Sequence, residues 1–133
     1  MTEIKDGDNL LHLVFRKQDF QSGRQDIAPG EMFLQCAALR MGREKTFKPH
    51  QHILKQGPDH VIALESWVVI RGAVKVMFYD CTGKMIHEDV LTEGDMSMTF
   101  FGGHNYLIMQ DDTLVYEFKT GPYTGQQNDK VFI

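Results

Sequence analysis

Only two cysteines, Cys36 and Cys81, occur among the 133 residues, and no CxxC pair is present. Zinc ribbons and thioredoxin-like redox motifs are thereby excluded. Cys36 lies in the apolar run FLQCAALRM, read as a buried strand, and Cys81 in the turn YDCTG. Both are expected to be plain reduced thiols. No block of five like charges occurs and no basic stripe interleaved with aromatics, and the net charge is −4. Nucleic acid is therefore not an expected partner. No apolar run approaches the length of a membrane span. The opening MTEIKDGDNL is too polar for a signal peptide, so the expected location is the cytoplasm, with no membrane partner. Internal repeats, low-complexity segments and a dividing linker are also missing.

What is there suits one globular domain. Hydrophobic residues make up 42% and charged residues 24%, a balance that folds. A domain of this length buries roughly two thirds of its unfolded surface without disulfides. A bound metal would then be functional rather than essential for folding.

The chain reads as short strands between turn signals: 33–40, 64–71, 73–80, 85–91, 97–101, 104–109 and 113–118. Val74, Val76 and Phe78 share one face. Residues 9–20 read as an early strand, with a short helix as the alternative, and 21–30 as a loop. This spacing predicts an antiparallel sandwich or barrel.

The segment PHQHILKQGPDHVIALESWVVIRG, residues 49–72, carries the chemistry. In a strand, His50 and His52 point to the same face, about 6.5 Å apart along the chain. Two imidazoles so placed can share an ion at about 2.1 Å each; two solvent-facing loop histidines are the alternative, since an H-x-H pair is a short motif. Glu65 has the parity of Trp67 and Val69. A carboxylate on a core face is costly unless paired or metal-bound; at a barrel rim it would simply be hydrated. His104 follows the Gly102-Gly103 bend and either reaches a barrel mouth or stays a turn histidine.

The run His50-x-His52, Glu65, Gly72, then Gly94 and His104 resembles the two motifs of the cupin superfamily. ESWVVIRGAVKVMFYD, GGHNYLIM and the tail VYEFKTGPYTGQQNDKVFI are similar to WbuC-type cupin metalloproteins and related cupins of bacterial surface-polysaccharide gene clusters, over roughly residues 30–133. Two departures stand out. Twelve residues separate His52 from Glu65, against three or four in the usual motif, and FFGGHN replaces the usual proline-glycine turn. The resemblance implies an all-β, single-domain cupin: a double-stranded β-helix, or jelly-roll-like barrel, over 31–133 with a C-terminal strap. Residues 1–30 would pack on it as a strand and loop. It implies one divalent metal on His50, His52, Glu65 and His104, with His60, in the 53–64 insertion, as an alternative ligand or a residue over the metal. A homodimer is expected from fold resemblance and the frequency of two-fold assemblies.

Three imidazoles and one carboxylate suit Fe, Mn, Ni, Co or Zn, and an open position can polarise a carbonyl or activate water. The first functional expectation is an enzyme that isomerises or epimerises a sugar or nucleotide-sugar in surface-polysaccharide synthesis. His60 and Tyr106 are its candidate acid–base residues. An iron-dependent cupin dioxygenase and a non-catalytic saccharide-binding or sensor protein are the alternatives; in each the partner is a small molecule. In the tail, Asp129 and Lys130 are read as pairing with each other or with the barrel. By alternation Glu117 and Lys119 face opposite to Leu114, Tyr116 and Phe118. With that apolar set inward, Glu117 points to solvent; otherwise Glu117, Lys119 and Tyr123 line the ligand pocket.

Overall fold

The computed structural model describes residues 1–54 and 62–133. Among these described residues twelve strands appear: β1 (Thr2–Asp6), β2 (Asn9–Val14), β3 (Gly23–Asp26), β4 (Leu34–Met41), β5 (His50–His52), β6 (Glu65–Arg71), β7 (Ala73–Tyr79), β8 (Met85–Thr92), β9 (Met96–Thr99), β10 (Gly103–Ile108), β11 (Thr113–Thr120) and β12 (Lys130–Phe132). One five-stranded sheet runs β12-β5-β10-β7-β8 and the other β3-β4-β11-β6-β9, while β1 and β2 form a separate hairpin. Every pairing is antiparallel.

Local chemistry sets the turns. Asp80 Oδ1 accepts hydrogen bonds from the backbone N–H groups of Thr82 and Lys84, closing the β7–β8 turn, as short acidic side chains do in turns. Asp95 Oδ2 does the same for the Thr92 N–H before β9. Between β6 and β7, Gly72 has φ +93° and its α-carbon faces the Thr113 side chain, so no other residue fits without strain.

The two sheets close over Leu39, Met41, Trp67, Val69, Val74, Val76, Tyr106, Ile108 and Val115. Period-two alternation explains the membership: Trp67 and Val69 on β6, Val74 and Val76 on β7, Tyr106 and Ile108 on β10. A second cluster lies on the outer face of the other sheet, where Phe20, Ala38 and Leu114 pack with Phe15, Ile27, Ile70 and Tyr116. Phe15, Phe20 and Tyr116 meet at ring-centroid distances of 5.0 to 6.1 Å, contacts worth about 0.5–1.5 kcal/mol per pair beyond burial.

Two readings of the sequence need correction, and one that was open is decided. Residues 23–26, assigned to a loop, form β3 and pair with β4 from Gly23 opposite Arg40 to Asp26 opposite Ala37; GRQD lacks the β-branched residues that mark a strand, and its edge position requires only one partner. Of the two orientations left open for β11, Leu114, Tyr116 and Phe118 take the outward one. The N-terminal segment supplies a second apolar surface that covers Leu114 and Tyr116, so apolar character alone did not identify the barrel's inner face. Cys36 is in a strand but only partly buried.

Candidate metal centre

Strand register brings the four expected side chains to one place. On β5, His50 and His52 both point into the barrel and are buried. β10 lies beside β5 with His104 directly opposite His50. β6 comes from the other sheet and carries Glu65 on the face of Trp67 and Val69. One donor atom from each of His50, His52, Glu65 and His104 lies within 4.8 Å of all the others. Their exposures are 7%, 3%, 4% and 0%, so none is a rim or turn residue.

Contacts around the cluster orient each ring. His50 Nδ1–H donates to the Lys48 carbonyl at 3.0 Å, so the neutral ring presents a bare lone pair at Nε2. His104 Nδ1 lies 2.8 Å from Thr99 Oγ1, and Thr99 sits opposite Glu65 in the β6–β9 pair. His52 Nδ1 lies 3.2 Å from Asp129 Oδ2. The Nδ1 atoms of His50 and His104 are thus hydrogen-bonded from outside, that of His52 faces the Asp129 carboxylate at ion-pair distance, and all three Nε2 atoms turn inward. His104 Nε2 is 3.1 Å from His50 Nε2 and 3.3 Å from Glu65 Oε1, and His52 Nε2 is 2.9 Å from Glu65 Oε2. Outer partners that fix ring orientation are the usual support of ligating histidines.

Charge follows the same geometry. Burial, then the nearby charges of Lys130 and His104, push His50 down to about 4. Burial also works against a charge on His52, but its bonds to Asp129 and Glu65 outweigh it and raise the ring to about 9. Burial would raise Glu65, yet the hydrogen bonds with His104 and His52 hold it well below the usual carboxylate range. The protons that His52 and His104 share with Glu65 stand where a cation could stand. The donor set, three imidazole nitrogens and one carboxylate, therefore fits a divalent transition metal.

A cavity of about 360 Å³ opens beside the cluster. Its wall includes His50, Glu65, Trp67, Tyr106, Glu117 and Lys119. Trp67 and Tyr106 stack with ring centroids 3.8 Å apart and planes 4° from parallel. Trp67 Nε1–H bridges Glu65 Oε1 at 3.2 Å and Glu117 Oε2 at 3.1 Å, and Arg24 holds Glu117 Oε1 at 2.9 Å. The hydroxyls of Tyr106 and Ser97 lie 3.1 Å apart. Burial, then the charge of Glu65, pushes the Tyr106 phenol well above its ordinary value.

His60 lies outside the described residues. Glu117 points into the cavity, and Lys119 and Tyr123 line it too, which is the second of the two arrangements left open for β11 and the tail. The alternation of Glu117 with Val115 was the available signal, because Val115 is in the barrel core. Asp129, expected to pair with Lys130 or the barrel, bonds His52 and also Lys119, whose Nζ is 3.4 Å away. Nothing in the local pattern QQNDK marks that contact, which forms only because β12 pairs with β5.

No protein-family profile and no curated protein sequence matches the chain. Solved structures do. KdgF from Halomonas sp. is 18% identical with a TM-score of 0.64, over 88% of this chain and 99% of KdgF. Oxalate decarboxylase from Bacillus subtilis is 16% identical with a TM-score of 0.62, over 86% of this chain and 29% of the decarboxylase. The coconut allergen cocosin is 15% identical with a TM-score of 0.53, over 66% of this chain and 22% of the allergen. The chain thus spans less than a third of the latter two proteins. With two antiparallel five-stranded sheets closed over a buried His/Glu cluster, and these neighbours, the chain has the cupin β-barrel fold.

Proposed function

We propose that the protein is a divalent-metal-dependent enzyme that isomerises or epimerises a sugar or nucleotide-sugar in the synthesis of a bacterial surface polysaccharide. The observation that carries the metal half is the convergence of the four donor atoms within 4.8 Å, each buried. An Fe, Mn, Ni, Co or Zn ion held there supplies Lewis acidity toward a substrate carbonyl or hydroxyl oxygen. The saccharide half is supported by the cavity: an aromatic wall of Trp67 and Tyr106 for a sugar's C–H face, and Gln35, Glu117 and Gln126 for its hydroxyls.

Proton transfer is assigned to His60 and Tyr106, joined by Glu117. Tyr106 keeps its proton at neutral pH and serves as a donor. Glu117, fixed by Arg24 and Trp67, presents a carboxylate to the cavity and serves as an acceptor. The same reading takes the protein as a cytoplasmic homodimer.

Metal analysis of the purified protein beside His104→Ala, followed by a nucleotide-sugar panel monitored by NMR, tests the reading. The expected result is stoichiometric metal in the native protein, trace metal in the variant, and epimerisation or isomerisation that a chelator stops. Equal metal content in the two proteins would overturn the ligand set.

A further inference from the structure

Two lysines flank the cluster by register. Lys119 on β11 is directly opposite Glu65 on β6, and Lys130 on β12 is directly opposite His52 on β5. Residues directly opposite in an antiparallel pair point to the same face, so both lysines are aimed at the barrel interior. Both line the 360 Å³ cavity.

Their electrostatic situations differ. Lys119 Nζ is 3.4 Å from Asp129 Oδ2 and 5.0 Å from the centroid of the Tyr123 ring. Arg24, the third cation of the wall, is held by Asp26 and Glu117 at 2.9 Å each. Lys130 is half-buried and, among the described residues, makes no ion pair. Glu65, Asp129 and Glu117 act on Lys130 only through their charge, and a partly desolvated cation with no direct ion-pair partner, in a cavity wall beside the His/Glu cluster, is a place for an anionic part of a ligand.

We propose that Lys130 receives a carboxylate of the substrate, which makes the preferred substrate an acidic saccharide or a related polyhydroxy acid. This rests on the metal-dependent reading above and specifies its substrate class. The charge count favours a carboxylate over a phosphate. A single uncommitted ammonium matches a monoanion, whereas a phosphate dianion calls for further donors, and both Arg24 and Lys119 are already engaged. Lys130 sits beside His52, so a carboxylate bound there leaves neighbouring hydroxyl or keto oxygens directed at the His/Glu cluster.

The test is calorimetric titration of metal-loaded native protein and of Lys130→Gln and Lys130→Arg with D-glucuronate, D-gluconate, D-glucose and D-glucose 6-phosphate. Native protein is expected to bind at least one of the two carboxylates more tightly than glucose. Lys130→Gln should lose about tenfold or more of that affinity, the scale of a charge-assisted hydrogen bond. Glucose binding and metal content should stay unchanged, and Lys130→Arg should recover most of the loss. Equal carboxylate affinity in native protein and Lys130→Gln overturns the proposal, as does binding of neither carboxylate, or tighter binding of glucose 6-phosphate. A native protein that takes up no metal overturns the metal reading instead. The same native-to-variant ratio, measured in metal-free protein, then decides on Lys130.

Discussion

His50 and His104 face each other from adjacent strands with their Nε2 atoms 3.1 Å apart. The His50 nitrogen carries a lone pair, because its Nδ1–H is committed to the Lys48 carbonyl. Without metal, that lone pair needs a proton from His104, and Glu65 competes for the same proton. A divalent cation satisfies all three groups at once. Its addition should therefore stabilise the fold, by about 2.7 kcal/mol at a free concentration a hundredfold above Kd. Scanning calorimetry with each of Fe, Mn, Ni, Co and Zn should show a rise in Tm that a chelator reverses. No shift with any of the five would remove the premise.

Asp129 holds His52 from behind. Asp129→Asn keeps the size but removes the charge, and metal affinity should fall about 10- to 100-fold, the usual cost of losing an outer partner of a ligating histidine. Competition against a chromophoric chelator measures it. An unchanged affinity would show that the Asp129–His52 contact does not orient the ring.

Gly102 brings the chain into β10. Its φ is +79°, and an added β-carbon would collide with the Tyr79 carbonyl oxygen. Gly102→Ala should cost about 1–3 kcal/mol, from a strained left-handed residue and displacement of the β9–β10 turn from the end of β7, and metal binding should weaken with it because His104 follows two residues later. Urea unfolding and metal titration of the variant check both effects; wild-type values in both would contradict this account of the bend.

The two thiols should separate by pH. Burial, then the Glu117 carboxylate, pushes Cys36 up to about 11, so it stays a neutral thiol through the physiological range and reacts poorly. Cys81 is exposed. At pH 8, iodoacetamide should modify Cys81 first, and the Cys36 rate should climb as pH approaches about 11. Peptide mass mapping reads the order; preferential labelling of Cys36 at pH 8 would refute it.

Leu114 tests the outer cluster. It is 2% exposed and packs with Phe20 and Ala38 on the side away from the cavity. Leu114→Ala should destabilise by about 2–5 kcal/mol while leaving metal affinity intact. A variant of native stability would mean that the N-terminal segment does not cover that face.

The strands and the cluster were readable because their signals are local or rest on parity. Val74 and Val76 alternate, and Glu65 shares its face with Trp67 and Val69, which the packing reproduces. His104 follows a glycine pair whose backbone requirement is visible in the letters. What could not be read depends on contacts across the fold. Leu114 and Tyr116 are apolar because a second cluster covers them from outside, so apolar character could not decide which face of β11 is the inner one, and the place of Glu117 stayed open. Asp129 enters the site through β12, whose three residues carry no pattern of their own. β3 is a strand because β4 offers it an edge.

Trp67 is the sole tryptophan of the chain, and its indole N–H touches the carboxylates of both Glu65 and Glu117. The molecule therefore carries an intrinsic optical gauge at its centre. Excitation at the indole band interrogates one ring only, and a change in the charge of Glu65 alters the electric field across it. Occupancy of the barrel can be followed in solution by emission intensity and wavelength, without any label.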